Sequence, residues 1–496
     1  MNKIYDYLII GSGAGGSAAA YALAKAGKNV LLLEKGAPLP KDGSTLDIEQ
    51  VLRRGRFKSK EPWLDYDGRA FVPEEYFNLG GKTKWYGAAL LRYGRHEFEA
   101  EPEFKCLSWP ISYAELEPYY ETAETLLSVR HFDIESGLQS IVDKLRKHGA
   151  RWECRPLPLG LSPEIFNHPE EARHFDGFAS VMGLKADAEL TFLDRARLMP
   201  NLDIRTGQAV SDLLPAADGA LRLQGVKTQH GREFHARNVM LAAGALHSPR
   251  LLQRYMQLTG LAGRLPSYRQ IGRNCKLHLL TALLAFSPSR KTDTLRKTAL
   301  LLNETFPHSS IQPLGFDSET IATLMPPFIP MRFASLNARL AYGFFLQTED
   351  GSDATNQVIA EQAGDNAADG YPQLDYDARR LPRSLIEHRR LIRSFRWSLL
   401  RAGLFSVYKR IPHTGTAHVC GTLVTGDHPE SSVVDKDGRV HGMENLYVVD
   451  GSILPRSSRV NPSLTIYAWA LRVAHLLIMK EKAHDSAGIG IHTVRA

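Results

Sequence analysis

The segment Gly11-Ser12-Gly13-Ala14-Gly15-Gly16 places four glycines within six residues. This spacing suits phosphate binding. Gly11 permits a tight turn, Gly13 lets a pyrophosphate approach bare backbone, and Gly16 lets a helix pack closely on a strand. Ala14 and Gly15 lie in the same turn, where the free N–H groups of a helix N-terminus would face phosphate oxygens. Glu34 follows Gly16 by 18 residues. A carboxylate there can accept hydrogen bonds from both ribose hydroxyls of a dinucleotide and would repel a 2′-phosphate, which disfavours NADP. The motif does not separate FAD from NAD. No second GxGxxG of this kind occurs in the chain, which argues against separate flavin and nicotinamide sites of this style.

Other residue types suggest further chemistry. Imidazole ionises near neutral pH and suits the role of proton acceptor for a hydroxyl. His413 and His418 lie close together in His413-Thr414-Gly415-Thr416-Ala417-His418-Val419-Cys420-Gly421-Thr422. Asn461-Pro462 reads as a helix cap followed by the first helical residue. Asp450, before Gly451-Ser452, could bind a ribityl hydroxyl or simply cap its loop. The four cysteines, Cys106, Cys154, Cys275 and Cys420, form no CxxC pair. A zinc site or redox dithiol is therefore not expected, no metal is assigned, and Cys420 reads as a packed thiol. There is no haem-attachment CxxCH.

These groups need elements to hold them. Tyr5–Ile10 reads as a buried strand, Ala18–Ala26 as a helix and Val30–Leu33 as a second strand ending at Glu34. This strand–turn–helix–strand unit begins a doubly wound α/β sheet of Rossmann type. Residues 37–75 read as irregular. Trp109–Val129 looks helical. Leu202–Arg205, Ala220–Thr228 and Val239–Ala242 read as strands, with turns at Asp218-Gly219 and His230-Gly231. Pro249–Met256 reads as a helix and Ala341–Gln347 as a weak strand. Residues 384–402 form an amphipathic helix with Leu385, Ile392, Phe395 and Leu399 on one face. Leu446–Val449 is a strand leading to a long C-terminal helix. The stretch 276–425 is mixed and carries no motif that names a substrate.

The chain has 496 residues, 43% hydrophobic and 23% charged, enough for two or three units with large cores. A net charge of +7 over this length names no partner, and no basic block or nucleic-acid motif occurs. The N-terminus enters a strand at once and the cysteines are sparse, so a cytoplasmic location is expected. The apolar run Leu464–Met479 is broken by Arg472 and His475 and reads as a buried helix, so no transmembrane segment is expected.

Several segments, in order along nearly the whole chain, resemble the glucose–methanol–choline (GMC) family of FAD oxidoreductases. Leu31-Leu32-Leu33-Glu34-Lys35-Gly36 is similar to the family's strand end. Gly80-Gly81-Lys82-Thr83-Lys84-Trp85-Tyr86-Gly87-Ala88-Ala89 resembles the loop under the flavin ring. Val239-Met240-Leu241-Ala242-Ala243-Gly244-Ala245-Leu246-His247-Ser248-Pro249 resembles the second cofactor strand. Gly272-Arg273-Asn274 with His278 resembles another family element, although Leu277 replaces the usual acid. Trp109-Pro110 and Pro118-Tyr119-Tyr120-Glu121 look most like the branch of bacterial sugar dehydrogenases and pyranose oxidases. The region from His418 to Ala474 is the most diagnostic, because His418 precedes Gly421-Thr422 at the family's spacing and His413 does not.

The resemblance implies a Rossmann-type FAD-binding domain (1–40, 76–100, 186–275 and 430–483), an α+β substrate domain (101–185 and 276–429) and a tail (484–496). It implies flavin contacts from Gly81, Thr83, Trp85, Gly87, Ala88, Ala243, Gly244, Asp450, Gly451 and Pro462, beside Gly11, Gly13, Ala14, Gly15, Gly16 and Glu34. Trp85 falls where some members carry a flavin-linking histidine, so the FAD is expected to be non-covalent. His418 becomes the base and Asn461 its partner at the substrate oxygen, while His413, which precedes Gly415-Thr416, keeps some claim to the role. The helix after Pro462 would turn its positive end to the flavin. The implied reaction is oxidation of an alcohol, of sugar or glycoside type, with oxygen, a quinone or a protein as electron acceptor. Two alternatives stay open: a non-redox lyase or decarboxylase on the same fold, and a flavoprotein subunit passing electrons to a separate carrier.

Overall fold

The computed structural model describes residues 3–149, 151–217, 221–325, 330–361 and 370–492. The first strand, β1 (Ile4–Ile10), is buried from Tyr7 through Ile10, so it sits in the middle of a sheet. It pairs in parallel with β2 (Val30–Leu33), Tyr7 opposite Val30, and on its other side with Glu233–Leu241, Ile10 opposite Leu241. Leu202–Arg205 and Leu446–Val448 extend this parallel core, and Leu223–Thr228 and Val210–Pro215 continue it antiparallel, giving seven strands. The helix α1 (Ala14–Lys25) packs between this sheet and the long C-terminal helix Ser463–His492. Ala18, Ala19 and Ala20 are fully buried there, small enough to bring helix and sheet close together.

A second, six-stranded sheet is antiparallel throughout, in the order Phe405–Arg410, Leu279–Phe286, Ala341–Thr348, Ser309–Pro313, Ala299–Leu302, Glu153–Pro156. One face buries Leu283, Leu301, Ile311, Phe344 and Leu346 against the helices Ser136–Lys147 and Pro382–Arg401. Strand residues alternate between faces, so Ser310, Gln312 and Gln347 lie on the opposite face, with Ser310 directly across from Gln347. That face meets the loop Arg456–Asn461, which leads into the C-terminal helix. A four-stranded sheet (Gln357–Ile359, Gln373–Asp375, Trp63–Leu64, Ala70–Phe71) lies beside the two.

Element by element, the strand read at Tyr5–Ile10 begins one residue earlier, and Val30–Leu33 falls as read. The helix expected over Trp109–Val129 narrows to Tyr113–Leu126, because Ser112 caps it by accepting from the Glu115 N–H. Residues 37–75 hold only one π-helical turn, Glu49–Arg53, and two short strands. The turn at His230-Gly231 forms with Gly231 at φ +77°, whereas the Asp218-Gly219 turn lies outside the described residues. The C-terminal helix runs on to His492, through most of the segment read as a tail. Among the described residues no helix is long and apolar enough to cross a membrane.

Candidate active site

The glycine turn joins β1 to α1 with Gly13 in the cap position. Gly11 has φ +103°, and a Cβ there would lie 2.3 Å from the Ala242 carbonyl oxygen. Gly16 faces the Gly11 carbonyl and Gly15 the Val449 carbonyl, where a Cβ would come within 1.9 and 1.7 Å. These two glycines therefore set the packing of α1, while a Cβ on Gly13 would meet nothing within 4 Å. No side chain caps α1 and no acid lies in its first turn, so its N-terminus, at Ala14, has only backbone N–H groups to offer an anion.

Glu34 is 6% exposed. Its Oε2 accepts from the Ser12 N–H at 3.0 Å and the Ser12 hydroxyl at 2.6 Å, and its Oε1 accepts from the Gly36 N–H at 2.8 Å. Burial holds this carboxyl above the usual carboxylate range despite those bonds. A carboxylate has about four acceptor positions. One position, on Oε1, is left, room for one ribose hydroxyl while the Ser12 bonds hold. Ser12, unread in the sequence, couples the phosphate turn to the next loop, since its Oγ also accepts from the Gly80 N–H at 3.0 Å.

That next loop crosses the glycine turn: a Cβ on Gly81 would lie 3.1 Å from the Gly13 Cα. The Thr83 hydroxyl donates to the Gly80 carbonyl at 2.6 Å and accepts from the Ala188 N–H at 3.0 Å, so it braces the loop. Trp85 donates to Asn78 Oδ1 at 2.9 Å and stacks on Tyr76 at 4.8 Å, again a packing role. Gly87 is covered by Asp176 and Lys297, and Ala88 is fully buried with φ +47°.

Asp450 is fully engaged. Its Oδ1 accepts from the Ser452 N–H at 2.9 Å and the Ser452 hydroxyl at 2.5 Å. Its Oδ2 accepts from the Gly244 N–H at 2.9 Å and the Ser248 hydroxyl at 2.5 Å. With four donors on about four acceptor positions, the carboxylate caps its loop and clamps it to the Ala243–Gly244 turn, leaving no lone pair for a ribityl hydroxyl. Gly244 itself has φ +87° and open space beside it. Gly451 is buried, its carbonyl accepting from the Gly421 N–H at 3.1 Å, which ties this loop to the His418 segment.

His418 and Asn461, 43 residues apart in sequence, come together: Asn461 Nδ2 faces His418 Nε2 at 3.4 Å. The first intrahelical bond of the C-terminal helix runs from the Ile466 N–H to the Pro462 carbonyl at 3.1 Å. Pro462 is thus the cap position, one residue later than the sequence reading, and the Asn461 amide is not spent on the helix. Its Oδ1 instead accepts from Gln312 Nε2 at 2.6 Å. The His418 ring meets His278 edge to face, centroids 5.1 Å apart, and its Nδ1 is buried with no partner among the described residues. Burial pushes His418 well below the ordinary histidine value, and His278, Lys297 and Lys82 push the same way. A neutral imidazole with an available lone pair is the form a proton acceptor needs.

His413 is not brought to Asn461. Its ring packs edge-on against Tyr66 and Phe71, with Nε2 at 3.9 Å from Asp65. Cys420 is buried and its thiol pushed up to about 12, mainly by that burial, which makes it inert. His278 donates through Nε2 to the Ser458 carbonyl at 2.6 Å and holds the loop before Asn461. Cys106, His308 and Glu349 are close enough to suggest a metal site. There, however, His308 spends both ring nitrogens on carboxylates, Glu349 at 3.1 Å and Glu101 at 3.0 Å. Although burial alone would lower it, those acids hold His308 above its ordinary value, and with both ring nitrogens engaged it braces the two carboxylates.

The uncapped first turn of α1, the open space at Gly13, the remaining acceptor position of Glu34 and the unpartnered His418 Nδ1 fit an FAD laid from the glycine turn towards the His418–Asn461 pair. Fold and site together define an FAD-dependent oxidoreductase. Residues 6–285 match the family described as FAD dependent oxidoreductase and residues 365–470 match GMC oxidoreductase. The chain belongs to the GMC-type FAD-dependent oxidoreductases, enzymes that act on CH–OH donors. It is similar to paromamine 6′-oxidase of Streptomyces fradiae, 27% identical over 97% of this chain and 94% of the relative. It is also similar to 6‴-hydroxyparomomycin C oxidase of Streptomyces lividus, 27% identical over 98% and 94%. Pyridoxine 4-oxidase from Mesorbium loti shares the fold at TM-score 0.69, with 20% identity, covering 95% of this chain and 99% of that structure.

Proposed function

We propose that the protein oxidises an alcohol carbon of a sugar or glycoside, with His418 as general base and Asn461 holding the reacting oxygen. The meeting of His418 Nε2 and Asn461 Nδ2 at 3.4 Å carries this reading. A gap longer than an ordinary hydrogen bond leaves the imidazole lone pair weakly held, free to take a hydroxyl proton. The amide N–H then donates to the oxygen as negative charge grows on it. FAD, when bound, supplies the acceptor for the hydride that leaves the same carbon. Burial first, and then the charges of Lys297 and Lys82, keep the imidazole uncharged and so ready to accept the hydroxyl proton. Trp85, packed on Tyr76, offers no nucleophile to the flavin, so the cofactor is held non-covalently. The names of the two Streptomyces relatives support a polyhydroxylated, amino-sugar-like substrate. Oxygen, a quinone or a protein carrier takes the electrons afterwards.

The test is anaerobic reduction of the purified holoenzyme by a panel containing paromamine, choline, pyridoxine and simple sugars. Bleaching by one member, reversed on admitting oxygen, supports an alcohol oxidase; bleaching that only a quinone or carrier reverses supports a dehydrogenase. A flavin that stays oxidised across the panel while substrate is turned over would replace this reading with non-redox chemistry.

A further inference from the structure

We infer that Gln312 is a positioning residue for the catalytic pair: its amide fixes which way round the Asn461 amide sits, and so which nitrogen of His418 keeps its lone pair. The inference rests on the base-and-amide reading above. Gln312 lies in the strand Ser309–Pro313 and is 2% exposed. Its Nε2 donates to Asn461 Oδ1 at 2.6 Å, the shorter of the two contacts that the Asn461 amide makes. With Oδ1 taken, only the N–H side of that amide is left for His418. An N–H facing Nε2 requires a lone pair there, so the neutral imidazole carries its proton on Nδ1, which is buried and meets no acceptor among the described residues, a cost that the Asn461 contact must offset. Were the amide reversed, its oxygen would draw the proton onto Nε2, and the base would meet the substrate hydroxyl already protonated.

The strand and the loop make this contact stiff. Ser310, two residues before Gln312 on the same face, donates its hydroxyl to the Arg459 carbonyl at 2.6 Å. Beneath, Arg456 pairs with Glu349 at 2.7 Å, and Glu97 accepts from the Ser458 hydroxyl at 2.7 Å. The titratable and charged groups around the pair are His418 and His278 across the pocket, Lys297 and Lys82 beside them, and Glu97, Glu349 and Arg456 under the loop.

Gln312→Glu and Gln312→Leu separate orientation from packing. In Gln312→Glu an ionised carboxylate accepts where the amide of the native residue donates, reversing the Asn461 amide, whereas a protonated carboxyl donates again. In this variant, flavin reduction by the best alcohol of the panel is expected to slow about 10- to 100-fold in mildly alkaline buffer. The ratio to wild type should recover as the pH falls. In Gln312→Leu the loss should be similar but the ratio flat with pH. A Gln312→Glu enzyme equal to wild type in alkaline buffer, or two variants with the same flat deficit, overturns the inference. Independent of any substrate, 15N-histidine spectra of the wild-type holoenzyme, with the His418 signal assigned by its loss in His418→Ala, should show Nε2 unprotonated. A proton on Nε2 overturns the inference even if the variants do not fold. If no alcohol reduces the flavin but Nε2 is unprotonated, the proposed reaction fails and the positioning role stands.

Discussion

Lys297 Nζ lies 2.9 Å from Asp176 Oδ2, and this nearly buried pair sits directly over Gly87, where a Cβ would come 2.3 Å from Asp176 Oδ1 and 2.7 Å from Lys297 Nζ. The lysine therefore presses its charge on the loop that the family resemblance puts under the flavin, and it is one of the groups holding His418 neutral. Lys297→Met is expected to move the acid limb of flavin reduction upward, towards the ordinary histidine value. It should also destabilise the fold by about 3–5 kcal/mol, because Asp176 is left unpaired in a poorly solvated place. The double variant Lys297→Met/Asp176→Asn removes the second effect and keeps the first. An unchanged acid limb in the double variant means that Lys297 does not act on the base.

For the wild type, the sign of the His418 shift fixes the pH behaviour. A folded value below the ordinary histidine value of about 6.5 keeps the imidazole unprotonated, hence active, in acid well below that value. The same shift costs stability in acid: the unfolded chain takes up the proton first, so folding weakens as the pH falls below about 6.5. The kcat/KM profile should accordingly stay level through neutral pH and break only at lower pH, and an acid limb at or above about 6.5 counts against His418 as the base. His418→Ala should slow reduction by about 10²-fold or more while FAD stays bound. Retained speed in that variant would hand the role to His413 or another group.

Asp450 makes a different kind of claim. Its carboxylate accepts from two backbone N–H groups and two hydroxyls, joining the Gly244 turn to the start of the Gly451 loop. In Asp450→Asn one oxygen becomes an NH2 that faces donors. The expected loss is about 2–4 kcal/mol, the cost of leaving a buried N–H and a hydroxyl facing a donor instead of an acceptor, seen as a lower urea midpoint of the apoprotein. If FAD affinity falls but the apoprotein midpoint does not move, the residue contacts cofactor after all.

The nucleotide cradle is legible in the sequence because glycine spacing, a strand period and a terminal carboxylate are local signals. β1, α1 and β2 lie within the first 33 residues and need little tertiary information. The pairing of His418 with Asn461 is legible only through family resemblance, since nothing local tells an imidazole that an amide 43 residues away will face it. The six-stranded sheet is largely invisible. Leu279–Phe286 reads Leu-Leu-Thr-Ala-Leu-Leu-Ala-Phe; one face is fully buried and the other mostly half-buried, but that second face carries Leu280, Ala282, Leu284 and Phe286, so the strand lacks the polar alternation that marks a half-buried strand. Gln312 escapes notice for a related reason. It alternates with Ile311 in Ser309–Pro313, but a lone buried glutamine gains meaning only when its partner is known. The sequence leaves Glu34 free to take two hydroxyls because Ser12, which occupies one of its oxygens, looks like filler between glycines.

Gly13 and Gly15 are alike in the sequence and opposite in the fold, and this gives the sharpest test of the cradle. Gly13 has φ −67°, which alanine adopts readily, and its missing side chain borders open space. Gly13→Ala should therefore leave the apoprotein as stable as wild type, within about 0.5 kcal/mol, but put a methyl group where phosphate must approach, weakening FAD binding. A Cβ on Gly15 would lie 1.7 Å from the Val449 carbonyl oxygen, which is main chain and cannot swing aside. Gly15→Ala must push α1 away from the strand end, at an overpacking cost of about 1–3 kcal/mol or more, and the apoprotein midpoint should drop before any cofactor is added. The two effects are read separately, by thermal unfolding of apoprotein and by FAD titration of flavin fluorescence. A Gly13→Ala protein that binds FAD as tightly as wild type would mean the pyrophosphate does not cross the glycine turn. A Gly15→Ala protein with an unmoved midpoint would mean the close contact between α1 and Val449 does not exist.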